Sequence, residues 1–407
     1  MIKVVQLQFS KESAGKSALR LHNAFCQKGI DSSIISLNSD DIIDTKITYL
    51  RKKSRIISKL DSKIKAYINR NTIKEYGEFS FPILGTNVSG MQEIKNADVL
   101  YLHWTLGGFL NLSNIQKLLK LGKPMIVIMH DMWHITGGCH YSFTCEKFVS
   151  GCYNCQMLPR QRKNDLSAKG FYKKLKLYSK FDNLYFVSPS KWLYDCAKKA
   201  LLTKNKPIYY IPNVIDNKLF KPFDKSIAKK ILNIDINETV IAFGAVKVNS
   251  PYKGWTYLQQ ALEILSQDKD FSNTTILIFG SGYDKQIANA IPFKTKFMGY
   301  LKDDYSVILT YNASDVFIVP SIADNQPTTV MESMCCGTPV VGFDIGGIPD
   351  MINHKVNGYL AKYKNSEDIA DGIRFCIKNK IRGKILPSFE KNEIVKKHLD
   401  IINSLLQ

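Results

Sequence analysis

The chain has 407 residues, 45% of them hydrophobic, with 56 Lys+Arg against 36 Asp+Glu and a net charge of +20. That length exceeds one ordinary core and points to two domains, and the composition excludes a disordered or low-complexity chain. No apolar run approaches the roughly 18 residues that cross a bilayer, and no recognition module accompanies the basic charge, so nucleic acid is not an expected partner.

The chain opens on a strand, IKVVQLQF. No secretory signal is therefore expected, and the expected location is cytoplasmic, with the inner face of the membrane as a resting place. Short Val/Ile-rich runs then alternate with amphipathic stretches. SSIISL, ADVLYLHW, PMIVIMHD, LYFVSPS and PIYYIPN read as strands of the first half, and ETVIAFGA, TTILIFG, TKFMGYL, DVFIVPS and TPVVGF as strands of the second. Their hydrophobicity is continuous, which suits parallel strands covered on both faces. Breakers across NVIDNKLFKPFDKSIAKKILNIDINE mark a linker. The expected fold is α/β: two doubly wound, Rossmann-like domains, residues 1–218 and 219–384, facing each other across a cleft. Ligands of such sheets bind beyond the carboxyl ends of the strands, so that cleft is the expected site.

Four segments carry chemistry. FSKESAGKSALRL follows the first strand, and its Gly15-Lys16-Ser17 spells the end of a P-loop, but Ser10 stands where the pattern wants a glycine. Residues 51–75 hold nine basic and two acidic residues, with Ile56, Leu60, Ile64 and Tyr67 at helical spacing. Residues 160–180 hold eight basic and one acidic, interleaved with Phe171, Leu175 and Tyr178. Each reads either as a solvated basic face over a small buried stripe or as a helix for an anionic membrane surface. Cys139, Cys145, Cys152 and Cys155 lie within 17 residues. In a reducing compartment structural zinc is the best chemical account, with packed thiols or a redox pair as alternatives, and His140 as a substitute ligand. The fourth segment is DVFIVPSIADNQPTTVMESMCCGTPVVGF. A strand ends at Pro320-Ser321, a loop carries Asp324, and a helix from about Thr328 contains Glu332. Both carboxylates then look into one cleft beside helix-start N–H groups, a geometry suited to a sugar diphosphate.

PSIADNQPTTVMESMCCGTPVV closely resembles the signature of the retaining family-4 glycosyltransferases of GT-B fold: Pro-Ser-x-x-Glu, a second Glu eight positions on, then Ala-Met-x-x-Gly-x-Pro-Val-Val. Asp324 stands where that family has its first Glu, with Ala323 before it, which puts the sugar contact in question. VIAFGAVKVNSPYKGW resembles the first strand of the family's donor domain; Ala245 follows Gly244 where many members have arginine. The resemblance makes Lys253 the cation for the leaving diphosphate, with Lys247 as its substitute or helper. It makes LIFGSG and FMGYL, with Gly280 and Gly299, the strands flanking the base. ADVLYLHWTLGGFL and KPMIVIMHDMWHITGGCHY resemble the acceptor domain of a bacterial surface-polysaccharide subgroup, placing His130 near the transferred sugar, with His103 and Trp104 on the acceptor side. Gly15 then belongs to a glycine-rich turn near the donor phosphates, although Glu12 and Ser13 replace its usual glycine pair. Residues 385–407 are expected to form the family's terminal helix, crossing back to the first domain.

What the resemblance implies is a retaining hexosyltransferase. Its donor is a nucleoside-diphosphate sugar, UDP- or GDP-linked, and its acceptor a lipid-linked oligosaccharide in capsule, exopolysaccharide or O-antigen assembly. Asp324, Asn325 and Gln326 would meet the sugar, Glu332 the ribose, and Lys253 with Thr328, Thr329 and Val330 the diphosphate. No cofactor is expected to serve catalysis. Two rivals remain at this stage: a P-loop NTPase working through Lys16, with Asp131 misread as its Walker B acid, and a catalytically idle nucleotide-sugar binding protein.

Overall fold

The computed structural model describes residues 1–10, 14–38, 45–73, 76–282, 287 and 289–407. The chain divides into two compact units: Met1–Val214 with Lys391–Gln407, and Ile215–Glu390.

In the first unit seven strands lie in the order β3-β2-β1-β4-β5-β6-β7, every neighbouring pair parallel. They are β1 (Lys3–Gln8), β2 (Asp31–Ser36), β3 (Ile47–Tyr49), β4 (Val99–Leu102), β5 (Met125–Ile128), β6 (Leu184–Ser188) and β7 (Ile208–Tyr210). Alternate residues feed two cores, one on each face. Val5, Leu7, Leu100 and Val127 enter one; Val4, Tyr101, Ile126 and Val187 enter the other. That double burial is why the strands read as unbroken apolar runs. The described helices among residues 1–214 are α1 (Ala14–Gln27), α2 (Lys52–Asn69), α3 (Gln92–Asn96), α4 (Leu112–Leu119), α5 (Leu166–Tyr178) and α6 (Lys191–Lys199).

The second unit repeats the plan with six parallel strands ordered β10-β9-β8-β11-β12-β13. These are β8 (Thr239–Lys247), β9 (Thr274–Ser281), β10 (Lys294–Phe297), β11 (Val316–Val319), β12 (Val340–Phe343) and β13 (Gly358–Ala361). Its described helices are α7 (Lys225–Ile231), α8 (Trp255–Leu265), α9 (Asp304–Ala313), α10 (Thr328–Cys335) and α11 (Ser366–Lys378). The order in which strands are added reverses between β1 and β4 in one sheet and between β8 and β11 in the other, so each unit has a crevice at those carboxyl ends. Among the described residues no helix is long and apolar enough to cross a membrane. The short β3 and β13 lie outside the strand runs legible in the sequence.

The last helix, α12 (Lys391–Leu406), belongs to the first unit. Ile394, Ile401 and Ile402 join Phe25 and Tyr101 in its core, and His398 Nδ1 lies 3.2 Å from Tyr101 Oη.

Of the two readings of residues 51–75, the buried apolar stripe is not what α2 shows: Ile56 is 53% exposed, Leu60 48% and Tyr67 78%, and Ile64 is half-buried. The face that packs is Ser54, Ser58 and Asp61. Ser58 Oγ donates to the Gly107 carbonyl at 2.6 Å, and Asp61 accepts the N–H groups of Ile83 and Leu84 at 3.3 and 3.0 Å. A Cβ on Gly108, whose φ is +79°, would fall 2.6 Å from the Ser58 Cα. The helix lies too close to that loop for a large side chain between them, so small polar residues pack and the apolar ones face out. In α5, by contrast, Phe171 and Tyr178 are buried as the spacing suggests, but so is Lys174.

Ile402→Ala removes a fully buried side chain that ties α12 to the first unit. It is expected to cost about 2–5 kcal/mol of that unit's stability, read by urea unfolding. A loss below about 0.5 kcal/mol would mean that α12 is not part of this core.

Candidate functional site

The second unit brings the predicted donor residues together around the loop after β11. Lys253 ends a short turn (Pro251–Lys253), and its Nζ lies 2.6 Å from Asp324 Oδ2. Ser321 Oγ donates to the same oxygen at 3.2 Å, and the Asn325 N–H donates to Asp324 Oδ1 at 3.1 Å. Burial works against charge on Lys253, but the Asp324 carboxylate, Tyr252 and the hydrogen bond to Asp324 outweigh it and hold its pKa above the ordinary lysine value. Two glycines permit this closeness. Gly254 has φ +71°, and a Cβ there would fall 1.7 Å from the Pro320 carbonyl oxygen; Gly346 has φ +60°, and its Cβ would fall 2.0 Å from that of Asp324. Asn325 and Gln326 are buried beside them.

The helix α10 starts at Thr328, after Pro327, which contributes no side-chain cap. The first turn therefore presents the backbone N–H groups of Thr328 and Thr329, whereas the Val330 N–H already donates to the Pro327 carbonyl at 3.1 Å, which corrects its expected place among the diphosphate's contacts. Glu332 lies one turn further, buried, with Tyr311 Oη donating to its Oε2 at 3.2 Å. Lys247 ends β8 beyond a register shift and is exposed. Gly280 and Gly299 sit side by side: the Gly280 N–H donates to the Gly299 carbonyl at 2.8 Å. At Gly280 φ is +135° and a Cβ would lie 1.9 Å from the Ala245 carbonyl oxygen, so that position needs glycine.

In the first unit the polar residues cluster at the ends of β1, β4 and β5. His103 is buried, with Nδ1 3.1 Å from His130 Nε2 and Nε2 2.8 Å from the Gln6 carboxamide. Both its ring nitrogens are thus engaged inside the protein. Trp104 packs edge-on against Phe9, with ring centroids 5.3 Å apart, and Lys65 lies over its ring. Next to His130, Asp131 caps the turn Met132–Ile135 through the Trp133 N–H at 2.8 Å and accepts from His140 Nδ1 at 2.5 Å; His140 Nε2 meets Ser80 Oγ at 2.8 Å. Lys174 donates to the carbonyls of Trp133 and Thr136, and burial pulls its pKa down to about 7. Gly15-Lys16-Ser17 lie in the first turn of α1. A Cβ on Gly15 would fall 1.6 Å from the Ser10 carbonyl oxygen, which is what the glycine is for. Glu12 and Ser13 lie outside the described residues.

The four clustered cysteines carry free thiols. Burial pushes the thiol pKa values of Cys139 and Cys155 up, and that of Cys152 to about 12. Cys152 Sγ accepts the Gly137 N–H at 3.1 Å, and the Cys155 N–H goes to Asp165. Among the described residues no three His, Cys, Asp or Glu side chains, Cys145 included, are arranged to hold a metal ion, so the cluster as placed does not fit zinc.

Sequence reasoning missed Gln6, Tyr311, Ser321, Gly346 and the Asp131–His140 pair. Gln6 is hidden inside a run that reads as strand core. Ser321 stands inside the quoted motif, three residues before Asp324, but its hydrogen bond was not foreseen; the others are brought to the site by the fold.

Residues 237–379, inside the second unit, match the family model of glycosyl transferases group 1. An uncharacterized glycosyltransferase of Haemophilus influenzae is 28% identical over 148 residues, covering 35% of this chain and 40% of that protein. The Escherichia coli UDP-Gal:alpha-D-GlcNAc-diphosphoundecaprenol alpha-1,3-galactosyltransferase is 24% identical over 187 residues, covering 44% and 47%. The chain thus matches less than half the length of these relatives. Among solved structures, sucrose-phosphate synthase from Thermosynechococcus elongatus has a TM-score of 0.66 at 14% identity, covering 100% of this chain and 99% of that one. Anabaena HepE in complex with UDP has a TM-score of 0.63 at 16% identity, covering 99% and 100%. The fold is that of the GT-B glycosyltransferases. The family model and the relatives support a group 1 glycosyltransferase.

The first unit is expected to be acid-labile. Burial pulls His130 to about 4, His134 and His398 each to about 3, and His103 well below its ordinary value. The unfolded chain binds protons near pH 6.5 that the folded chain refuses. Stability is therefore complete above pH 6.5 and lost as pH falls toward 4, by about 1.4 kcal/mol per pH unit for each imidazole. Urea unfolding at pH 7 and pH 5 measures this; equal stability at both would contradict the buried, neutral imidazoles.

Proposed function

We propose that the protein is a retaining glycosyltransferase that moves a hexose from a nucleoside-diphosphate sugar to a saccharide hydroxyl. The observation that carries this reading is the Lys253–Asp324 pair beside the uncapped start of α10, within the segment that matches the group 1 family model. In this reading cleavage of the anomeric C–O bond leaves an oxocarbenium-like centre, and negative charge collects on the departing diphosphate. Lys253 and the N–H groups of Thr328 and Thr329 meet that charge, with Lys247 in support. A diphosphate drawing Lys253 toward itself releases Asp324 Oδ2 to accept a sugar hydroxyl, aided by Asn325 and Gln326. Glu332 takes the ribose hydroxyls, and Gly280 and Gly299 lie against the base. His130 meets the sugar, and the departing phosphate takes the acceptor's proton, which gives retention without a nucleophilic carboxylate. The donor is UDP-linked in the first instance, because Anabaena HepE was solved with UDP. The acceptor is lipid-linked and belongs to bacterial surface-polysaccharide assembly, in keeping with the diphosphoundecaprenol named for the Escherichia coli relative. His103 and Trp104 belong to the acceptor-side unit.

Thermal shift against UDP, GDP, ADP and ATP, each with and without Mg²⁺, tests the donor assignment. One sugar-nucleotide diphosphate is expected to stabilise the protein without metal, and Lys253→Ala to abolish the shift. Stabilisation by Mg·ATP alone would sink the reading.

The lipid-linked acceptor needs a membrane, and α2 supplies a surface for one. Its outward Ile56, Leu60 and Tyr67 are flanked by Lys52, Lys53, Arg55, Lys59 and Lys63, an apolar and cationic face complementary to an anionic bilayer. Co-sedimentation with anionic vesicles is expected and should fall at least tenfold when Lys52, Lys53, Arg55 and Lys59 are changed to Gln. Equal binding to neutral vesicles would contradict the electrostatic part.

A further inference from the structure

The buried polar chain behind His130 has a direction, and Gln6 sets it. A carboxamide's oxygen and nitrogen are nearly alike in shape, so its neighbours must say which is which. Around Gln6 two of them are unambiguous. The Ala18 carbonyl can only accept, and the His22 backbone N–H can only donate. The arrangement that satisfies both turns the nitrogen toward Ala18 O at 3.3 Å and His103 Nε2 at 2.8 Å, and the oxygen toward the His22 N–H at 3.1 Å and Ser32 Oγ at 3.2 Å. All four hydrogen-bonding positions of the amide are then used.

The consequence runs through two rings. Because the Gln6 amide donates to His103 Nε2, that nitrogen carries no proton, and the proton of the neutral ring sits on Nδ1. His103 Nδ1, 3.1 Å from His130 Nε2, then donates to it. His130 Nε2 is an acceptor in turn, and its own proton sits on Nδ1. We propose that Gln6 is a positioning residue that fixes His103 and His130 as neutral rings protonated on Nδ1, so that His130 meets its ligand as a hydrogen-bond donor and not as a base.

This rests on the reading of His130 as a residue of the transferase site. A proton added to His103 Nε2 would face the Gln6 NH₂ group, and one added to His130 Nε2 would face the His103 N–H. The surroundings agree. Desolvation, followed by His130 and His398, opposes charge on His103. Desolvation also outweighs Asp131, a counter-charge that faces His130. Farther along, His134 is faced by Lys174, Asp131, His130 and His140, and Asp131 is already taken by His140 and the Trp133 N–H. A neutral N–H donor suits a sugar or phosphate oxygen whose charge is met elsewhere, and it leaves no imidazole to compete for the acceptor's proton.

The test reads the ring nitrogens directly. Two-bond proton–nitrogen correlation spectra of ¹⁵N-histidine protein, assigned by replacing one histidine at a time, distinguish the two neutral tautomers from the imidazolium. The expected result is Nδ1–H on both His103 and His130 from pH 8 down to pH 5. In Gln6→Glu the carboxylate should accept a hydrogen bond from His103 Nε2–H, inverting that ring's tautomer and raising its pKa by at least one unit. An Nε2–H on either ring of the wild-type protein would overturn the proposal, and this spectrum decides even if the variant does not fold. Where Gln6→Glu folds and its tautomers invert, kcat for sugar transfer should fall at least tenfold with donor KM changed less than threefold; unchanged kcat would overturn the positioning role. The spectra need no sugar donor, so they stand or fall apart from the transferase reading.

Discussion

A lysine and an aspartate half-withdrawn from water, with 2.6 Å between their charged atoms, hold the second unit's site in its present form. Such a pair gains little net stability, because desolvation takes back most of the Coulomb attraction. Its value is that neither partner can be left alone without a large penalty. The loop after β11 is accordingly pinned from several sides, by Ser321, by the two glycines that let backbone come within contact distance, and by the Gly347 N–H on the Asp324 carbonyl at 3.2 Å. A ligand that offers negative charge to Lys253 and hydroxyls to Asp324 replaces one satisfied state with another. A sugar diphosphate offers both.

The first unit solves a different electrostatic problem. Its site carries imidazoles rather than a strong cation, and they are kept uncharged by burial and by the order of their hydrogen bonds. Gln6 lies within β1 opposite Tyr101, while His103 and His130 follow the ends of β4 and β5, so the three come from neighbouring strands and meet through their side chains rather than through the register. The two units thus make different contributions: fixed charge in one, fixed neutral donors in the other.

Much of this was legible in the sequence because burial on both faces writes itself as continuous apolar runs. All eleven segments read that way contain strands, and the two further strands among the described residues, β3 (ITY) and β13 (GYLA), lack a Val/Ile-rich run. Asp324, Glu332 and Thr328 fell where the motif put them, since a strand, a short loop and a helix start fix their relative places locally. The pairing of Lys253 with Asp324 was not legible: the two are 71 positions apart, and only the fold brings them together. Nor was the orientation of α2, where apolar spacing reads the same whether the stripe faces inward or outward; the close approach of Gly108 decided it. The cysteine spacing suggested a ligand set; in the fold Cys152 is buried and Cys139, Cys145 and Cys155 are half-buried, all four as free thiols.

The most direct test of the account is calorimetric titration of UDP and of a UDP-sugar into wild type, Lys253→Ala and Asp324→Asn, with GDP in its place if GDP is the stabilising nucleotide. The account predicts that Lys253→Ala weakens both ligands at least tenfold. Asp324→Asn, which frees Lys253, should bind the bare diphosphate at least as tightly as wild type but lose its preference for the sugar-bearing form. Equal losses for both ligands in both variants would mean that the pair only holds the loop together, and would contradict the division of labour between its two halves.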